Sequence, residues 1–284
     1  MSDSAPLVEY RGNCHCGAFQ FTFKAAELKP TTCDCSICSK KGYLWAKPAN
    51  DSFTVVKGDE NTLVSYEFRN KILNLAHKFC PTCGTSVMAR FRQEIHGMTI
   101  LLNVRTVRDI DFASLPLGVT YPGSTLGSPY QPPEPVQAGP VPEGSTQYNG
   151  SCHCGTVAYT LLSPEKITSA MECNCSICWR DFTNNECKDG ALWTYPATAN
   201  VTFRGLESVT EYTFAKERTY HGFCKFCGVA LYERFVGTRQ NGEDRALRRA
   251  LNVRTMHDLD LTTIKIEKGD GKAVEPQYEV PHVK

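Results

Sequence analysis

The sequence predicts a mainly β protein: two tandem, small antiparallel β-domains with short helical turns. Three observations predict it. Four motifs recur in the same order in the two halves, apolar and polar residues alternate over short runs, and no long stretch sustains a 3.6-residue period.

The repeat sets the domain organisation. Gly12-Asn13-Cys14-His15-Cys16-Gly17 returns as Gly150-Ser151-Cys152-His153-Cys154-Gly155, an offset of 138. Cys33-Asp34-Cys35-Ser36-Ile37-Cys38 returns as Cys173-Asn174-Cys175-Ser176-Ile177-Cys178, an offset of 140. His77-Lys78-Phe79-Cys80-Pro81-Thr82-Cys83-Gly84 returns as His221-Gly222-Phe223-Cys224-Lys225-Phe226-Cys227-Gly228 at 144, and Leu102-Asn103-Val104-Arg105-Thr106 as Leu251-Asn252-Val253-Arg254-Thr255 at 149. A unit of roughly 110–120 residues is too long for a solenoid repeat, so each copy is a domain.

Within each copy the strands follow from the period of two. Phe19, Phe21 and Phe23 alternate with Gln20, Thr22 and Lys24; Val157, Tyr159 and Leu161 keep that spacing in the second copy. Val64-Tyr66-Phe68 and Val87-Ala89-Phe91 continue it. Short helical turns are expected after Thr106 and Thr255, where an Asp follows three residues on. Eight of the sixteen prolines fall between Pro116 and Pro142, a composition suited to an extended connector that Tyr121 and Tyr130 could pin to a domain surface. The expected organisation is a first zinc domain over 1–116, a Pro/Gly-rich linker over 117–145, a second zinc domain over 146–267 and a tail over 268–284.

Composition narrows the function. The 284 residues carry 31 Lys+Arg against 30 Asp+Glu, a net charge of +1, so no nucleic-acid or anionic-membrane partner is expected. No apolar run reaches a membrane span, and Met1 to Pro6 lacks the basic and apolar regions of a signal peptide. The expected location is therefore cytoplasmic, with the nucleus as the alternative, and there the 15 cysteines stay reduced. An odd number, and the strained ring that a C-x-C bridge would make, disfavour a disulfide framework.

The cysteines read as zinc ligands. Each half holds seven in motifs, and zinc takes four protein ligands in a closed structural site or three in an open catalytic one. Cys80 and Cys83, before a turn-permitting Gly84, need a partner pair, and Cys14 with Cys16 is the natural one. Cys33, Cys35 and Cys38 fit one loop around one metal, with a fourth position open. In the second half Cys152, Cys154, Cys224 and Cys227 form the closed set, and Cys173, Cys175 and Cys178 the open one. This gives about four Zn2+ per chain, two structural and two open. A fourth ligand from the chain would make every site structural, and His77 or His221 could supply it; the ordinary role of such a histidine is a partly buried, hydrogen-bonded side chain. His15 and His153 sit between ligands, and the pleat points them away.

The Gly-x-Cys-His-Cys-Gly start, the C-x-C-S-x-C loop and the F-C-x-x-C-G knuckle together resemble the glutathione-dependent formaldehyde-activating enzyme family, which includes centromere protein V. The resemblance covers roughly residues 8–116 and 146–265. It implies two β-tent domains, with Cys14, Cys16, Cys80, Cys83 and Cys152, Cys154, Cys224, Cys227 as structural ligands. It further implies that Cys33, Cys35, Cys38 and Cys173, Cys175, Cys178 hold catalytic zinc. The activity implied is that of a carbon–sulfur lyase condensing formaldehyde with glutathione to S-hydroxymethylglutathione, with glutathione as co-substrate. The tandem arrangement departs from the simplest family pattern, and no long basic arm supports a chromosomal role.

A small-molecule thiol or carbonyl compound is the expected partner; the oligomeric state is left open. A zinc on three thiolates accepts a soft fourth ligand such as a substrate thiolate. Dehydratase or isomerase chemistry on another small metabolite, or non-enzymatic glutathione carriage, are the alternatives. Arg105 and Arg254 could clamp a substrate carboxylate, or be surface charges or structural ion pairs. Trp45 and Trp193 could wall a pocket or sit in the core. Seven residues separate Cys38 from Trp45 but fifteen separate Cys178 from Trp193; the insertion brings in Cys187, which could close the second open site or be a free loop cysteine.

Overall fold

The computed structural model describes residues 6–68, 75–95, 97–116, 118–181 and 191–281; of Ala113 and Asp181 only the backbone is described. Cys187 and its proposed role therefore lie outside the described residues. The chain divides into two compact units. The first comprises residues up to Pro129 together with 279–281, the second Tyr130 to 181 and 191 to Tyr278.

The mainly β prediction holds: strands make up 40% of the structure, and the two α-helices described, Ser36–Lys41 and Cys178–Asp181, are short. In the first unit Val8–Asn13 pairs antiparallel with Gln20–Ala25, which pairs in turn with Thr54–Lys57. The alternation read in the sequence places Phe19, Phe21 and Phe23 inside, and Phe21 meets Phe53 at 5.6 Å between ring centroids. Burying each such ring contributes roughly 1.5–3 kcal/mol. A five-stranded antiparallel sheet follows, in the order Trp45–Ala46, Met98–Asn103, Ser86–Ile95, Leu75–Phe79, Val64–Glu67. Val87, Met88, Ala89 and Leu102 are fully buried in it.

The second unit repeats this plan. Thr146–Ser151, Ala158–Ser163 and Val201–Arg204 form its small sheet. Its large sheet runs Val209–Tyr212, Thr219–Cys224, Ala230–Phe235, Arg249–Asn252, Ala191–Thr194, Ser169–Cys173, Lys265–Gly269. Phe203 of the small sheet meets Tyr232 of the large one edge-on at 5.4 Å.

The short helical turns expected after Thr106 and Thr255 are present, as 3-10 turns Phe112–Ser114 and Leu261–Thr263. A further pair ends at those threonines, Val104–Thr106 and Val253–Thr255. An Asx cap starts each of the latter: Arg105 N donates to Asn103 Oδ1 at 3.4 Å, and Arg254 N to Asn252 Oδ1 at 3.1 Å. Arg105 and Arg254 are buried rather than surface charges, being only 1% and 8% exposed.

The proline-rich stretch is built into the units. Thr120–Tyr121 pairs parallel with Thr32–Cys33. In the second unit Tyr130 stacks on His153 at 4.8 Å and its hydroxyl donates to His153 O, while Thr160 Oγ1 donates to Val136 O.

Candidate metal centres

Each four-cysteine group is made by two similar hairpin turns facing one another. In the first unit Cys14 N donates to Phe19 O and Gly17 N to Cys14 O; Cys80 N donates to Thr85 O and Gly84 N to Cys80 O. Gly84 and Gly228 have φ of +74° and +68°, a left-handed turn that a side-chain-bearing residue adopts only at a cost. The sulfurs of Cys14, Cys16, Cys80 and Cys83 all lie within 4.8 Å of one another, and so do those of Cys152, Cys154, Cys224 and Cys227. Cys14 to Cys16 and Cys16 to Cys80 are each 3.6 Å, and Cys152 to Cys154 is 3.4 Å. These separations are too long for disulfides and close to the ~3.8 Å edge of a tetrahedron with 2.3 Å zinc–sulfur bonds. The fourteen cysteines described are free. Backbone N–H groups support the set: Phe19 N donates to Cys14 Sγ and Val157 N to Cys152 Sγ, both at 3.3 Å. An all-sulfur, largely buried donor set fits zinc.

The three-cysteine groups sit where a strand turns into a short helix. Cys33 ends its strand, Cys35 precedes helix Ser36–Lys41, and Cys38 lies on the helix's buried side. The three sulfurs lie within 4.8 Å of one another, as do those of Cys173, Cys175 and Cys178. Hydrogen bonds from the Cys35 and Cys38 thiols, with help from the backbone N–H groups of Cys35 and Gly123, pull Cys33 down to about 3 against its burial. In the second unit Cys173 and Cys178 likewise hold Cys175 well below the usual thiol range. A buried cation follows the last cysteine by two residues in both, Lys40 and Arg180.

A second segment completes each group. After pairing with Thr32–Cys33, the chain turns through Gly123–Thr125, and a Cβ on Gly123 would stand 2.5 Å from Cys33 Sγ. Asp34 fastens this strap by accepting from Ser124 N and Oγ at 2.7 and 2.8 Å. In the second unit Lys265–Gly269 pairs parallel with Ser169–Cys173, the chain turns through Gly271–Ala273, and Asn174 takes the place of Asp34. A Cβ on Gly271 would stand 2.6 Å from Cys175 Cβ and 3.0 Å from Cys173 Sγ. Spacing alone did not reveal the straps, because they lie outside the cysteine motifs; the matching glycines could have been found only by extending the repeat comparison past Thr106 and Thr255.

The other candidate residues separate. Trp45 is buried and also touches the site, its Nε1 donating to Cys38 Sγ at 3.4 Å. Trp193 is buried, and its Nε1 has no hydrogen-bond partner among the described residues. His77 is buried beside the rings of Tyr43 and Trp45, at 5.3 and 5.9 Å, and belongs to none of the metal-type groups described. His221 differs: its Nδ1 is 3.2 Å from Glu233 Oε1, and with Cys178 these two form a further group of potential donors. His15 and His153 are buried and join no such group among the described residues.

Fold and site together define a tandem β protein with two cysteine-rich, metal-type centres in each unit. The chain belongs to the family described as glutathione-dependent formaldehyde-activating enzyme, whose model matches residues 9–113 and 147–256. Among solved structures, a crystal structure of a Rhodobacter sphaeroides protein matches with 23% identity over 40% of this chain and 92% of that chain, at a TM-score of 0.32. No helix described is long and apolar enough to cross a membrane.

Proposed function

We propose that the protein is a zinc-dependent, carbon–sulfur lyase-type enzyme that forms or cleaves the adduct of a small thiol with an aldehyde, in the manner of S-hydroxymethylglutathione synthesis. One observation carries the reading: Cys33, Cys35 and Cys38 converge as three sulfur donors, whereas the other group of the first unit, Cys14, Cys16, Cys80 and Cys83, has four. Cys14, Cys16, Cys80 and Cys83, with their counterparts in the second unit, would hold structural zinc. Zinc on three thiolates, when bound, favours deprotonation of a thiol that it contacts and keeps the sulfur nucleophilic.

The chain's own residues prepare that position. The Gly123 N–H and the Trp45 indole N–H donate to Cys33 and Cys38, so the sulfurs are oriented before any substrate arrives. In the condensation the thiol sulfur attacks the aldehyde carbon, a C–S bond forms, and the carbonyl oxygen takes up a proton. Holding sulfur and carbon together is the main demand of this reaction. Family membership supports glutathione as the thiol and formaldehyde as the carbonyl.

Exchange-sensitive proton NMR of a glutathione–formaldehyde mixture tests the reading. The expected result is faster exchange than with an equal amount of free zinc, and loss of that acceleration in the Cys35→Ser chain. Exchange no faster than with free zinc defeats it.

A further inference from the structure

The step in the repeat offset from 144 to 149 marks a place where the second unit has something the first lacks. In the first unit strands Ser86–Ile95 and Met98–Asn103 meet in a short hairpin. In the second, residues 236 to 248 connect Ala230–Phe235 to Arg249–Asn252. This connection is a built turn. Arg239 N donates to Glu243 O at 2.8 Å, Arg245 N to Gly237 O at 2.9 Å and Glu243 N to Asn241 Oδ1 at 3.1 Å, and Thr238 bridges Asp244. Val236 N donates to Arg218 O at 3.1 Å, which fastens the turn to the neighbouring hairpin.

The turn and Arg218 enclose a surface recess of about 460 Å³ lined by Arg218, Thr238, Arg239, Gln240, Asn241 and Arg245, with no carboxylate in the lining among the described residues. Two of the guanidiniums are fixed in place. Arg245 Nη1 donates to Arg218 O and Val236 O at 3.0 and 3.2 Å, and its guanidinium lies 5.2 Å from the Phe235 ring centroid. Arg218 lies over Gly237, where a Cβ would stand 3.7 Å from Nη2. Arg239 has Glu243 at 3.5 Å, an exposed pair of the weak kind. The nearby Asp244 carboxylate caps its own turn by accepting from Ala246 N. Burial, and then the charges of Arg218 and Arg239, hold Arg245 below the ordinary arginine range. Three cations that crowd one another with so little carboxylate between them make a site of positive potential that an anion relieves.

The donor set selects among anions. One guanidinium fork satisfies a carboxylate, whereas a phosphate monoester offers three acceptor oxygens and close to two charges. A recess of this size also takes more than a bare ion. We propose that the recess formed by Arg218, Arg239 and Arg245 is a binding site for a small molecule bearing a phosphate group, belonging to the second unit alone and separate from the metal centres. The thiol–aldehyde reading is not needed for it.

Proton–nitrogen NMR of the arginine Nε–H groups in the zinc-loaded full chain tests this, because phosphate that reached a metal centre instead would leave these resonances in place. Adenosine monophosphate is expected to shift the Arg218, Arg239 and Arg245 signals saturably. Inorganic phosphate should shift the same signals with lower affinity; the reverse order assigns the recess to free phosphate and keeps the site. Glutarate, a dicarboxylate of similar charge, should bind at least tenfold more weakly than adenosine monophosphate. Arg218→Lys, Arg239→Lys and Arg245→Lys keep the charge but lose the fork, and each should weaken binding by roughly tenfold or more. Arg239→Lys leaves the backbone clasp of the turn intact and so guards against a collapsed hairpin. No saturable shift with either phosphate compound, glutarate binding as tightly as they do, or all three lysine variants binding like the parent overturns the proposal.

Discussion

Gly123 and Cys33, far apart in sequence, are in direct contact: the glycine N–H donates to the cysteine sulfur, and there is no room between them for a methyl group. A residue beyond the cysteine motifs thus helps to set a ligand's position. Gly123→Ala should weaken metal retention at the three-cysteine centre of the first unit by about 10–100-fold, the usual effect of disturbing an outer partner. Competition with a chromophoric chelator measures this. Ser124→Ala should cost less, since Ser124 N still donates to Asp34. A Gly123→Ala chain that holds its metal as tightly as the parent counts against the strap.

The two kinds of centre should fail differently. Cys80→Ser removes a donor from the group that joins two distant hairpins, and should destabilise the first unit by about 3 kcal/mol or more, a Tm drop of roughly 10 °C. Cys35→Ser should lose one metal with a much smaller change in Tm. Calorimetry beside metal analysis of each variant checks the contrast, and equal thermal losses would refute the division of roles. The parent chain should carry about four zincs.

Asn103 ties the end of one strand to its neighbour. Its Nδ2 donates to Ser86 O at 2.8 Å while its Oδ1 caps the following turn, and the side chain is fully buried. Asn103→Ala leaves those groups without a partner and should cost about 1–3 kcal/mol. Asn252→Ala should do the same in the second unit, where Asn252 Nδ2 donates to Ala230 O. Urea unfolding of each variant tests this; a change within experimental scatter contradicts it.

Acid should weaken the second unit through Glu211. Hydrogen bonds from the Arg234 guanidinium, with a further one from the Tyr232 hydroxyl, hold its carboxyl below the ordinary range against partial burial. A carboxylate depressed in the folded state contributes fully above its unfolded value of about 4.3 and loses that contribution as pH falls through the folded value. The parent's stability advantage over Glu211→Gln should therefore be complete at neutral pH and shrink progressively below about pH 5. Denaturant midpoints across that range report it, and a pH-independent advantage rules it out.

Much of this protein was legible from local pattern. Alternation of Phe19, Phe21 and Phe23 is a consequence of strand geometry and needs no distant partner to be seen. The cysteine spacings limit which sulfurs one turn can aim together, and the repeat showed each group twice. What sequence alone could not supply is which residues arrive from elsewhere. Gly123 reaches Cys33, and Glu233 reaches Cys178 and His221, only because sheet register and a parallel strand carry them there. His77 lies opposite Ala89 and His221 opposite Glu233 in the same register, an exchange that looks minor along the chain. It becomes a chemical difference only where burial removes water and leaves a carboxylate facing sulfur.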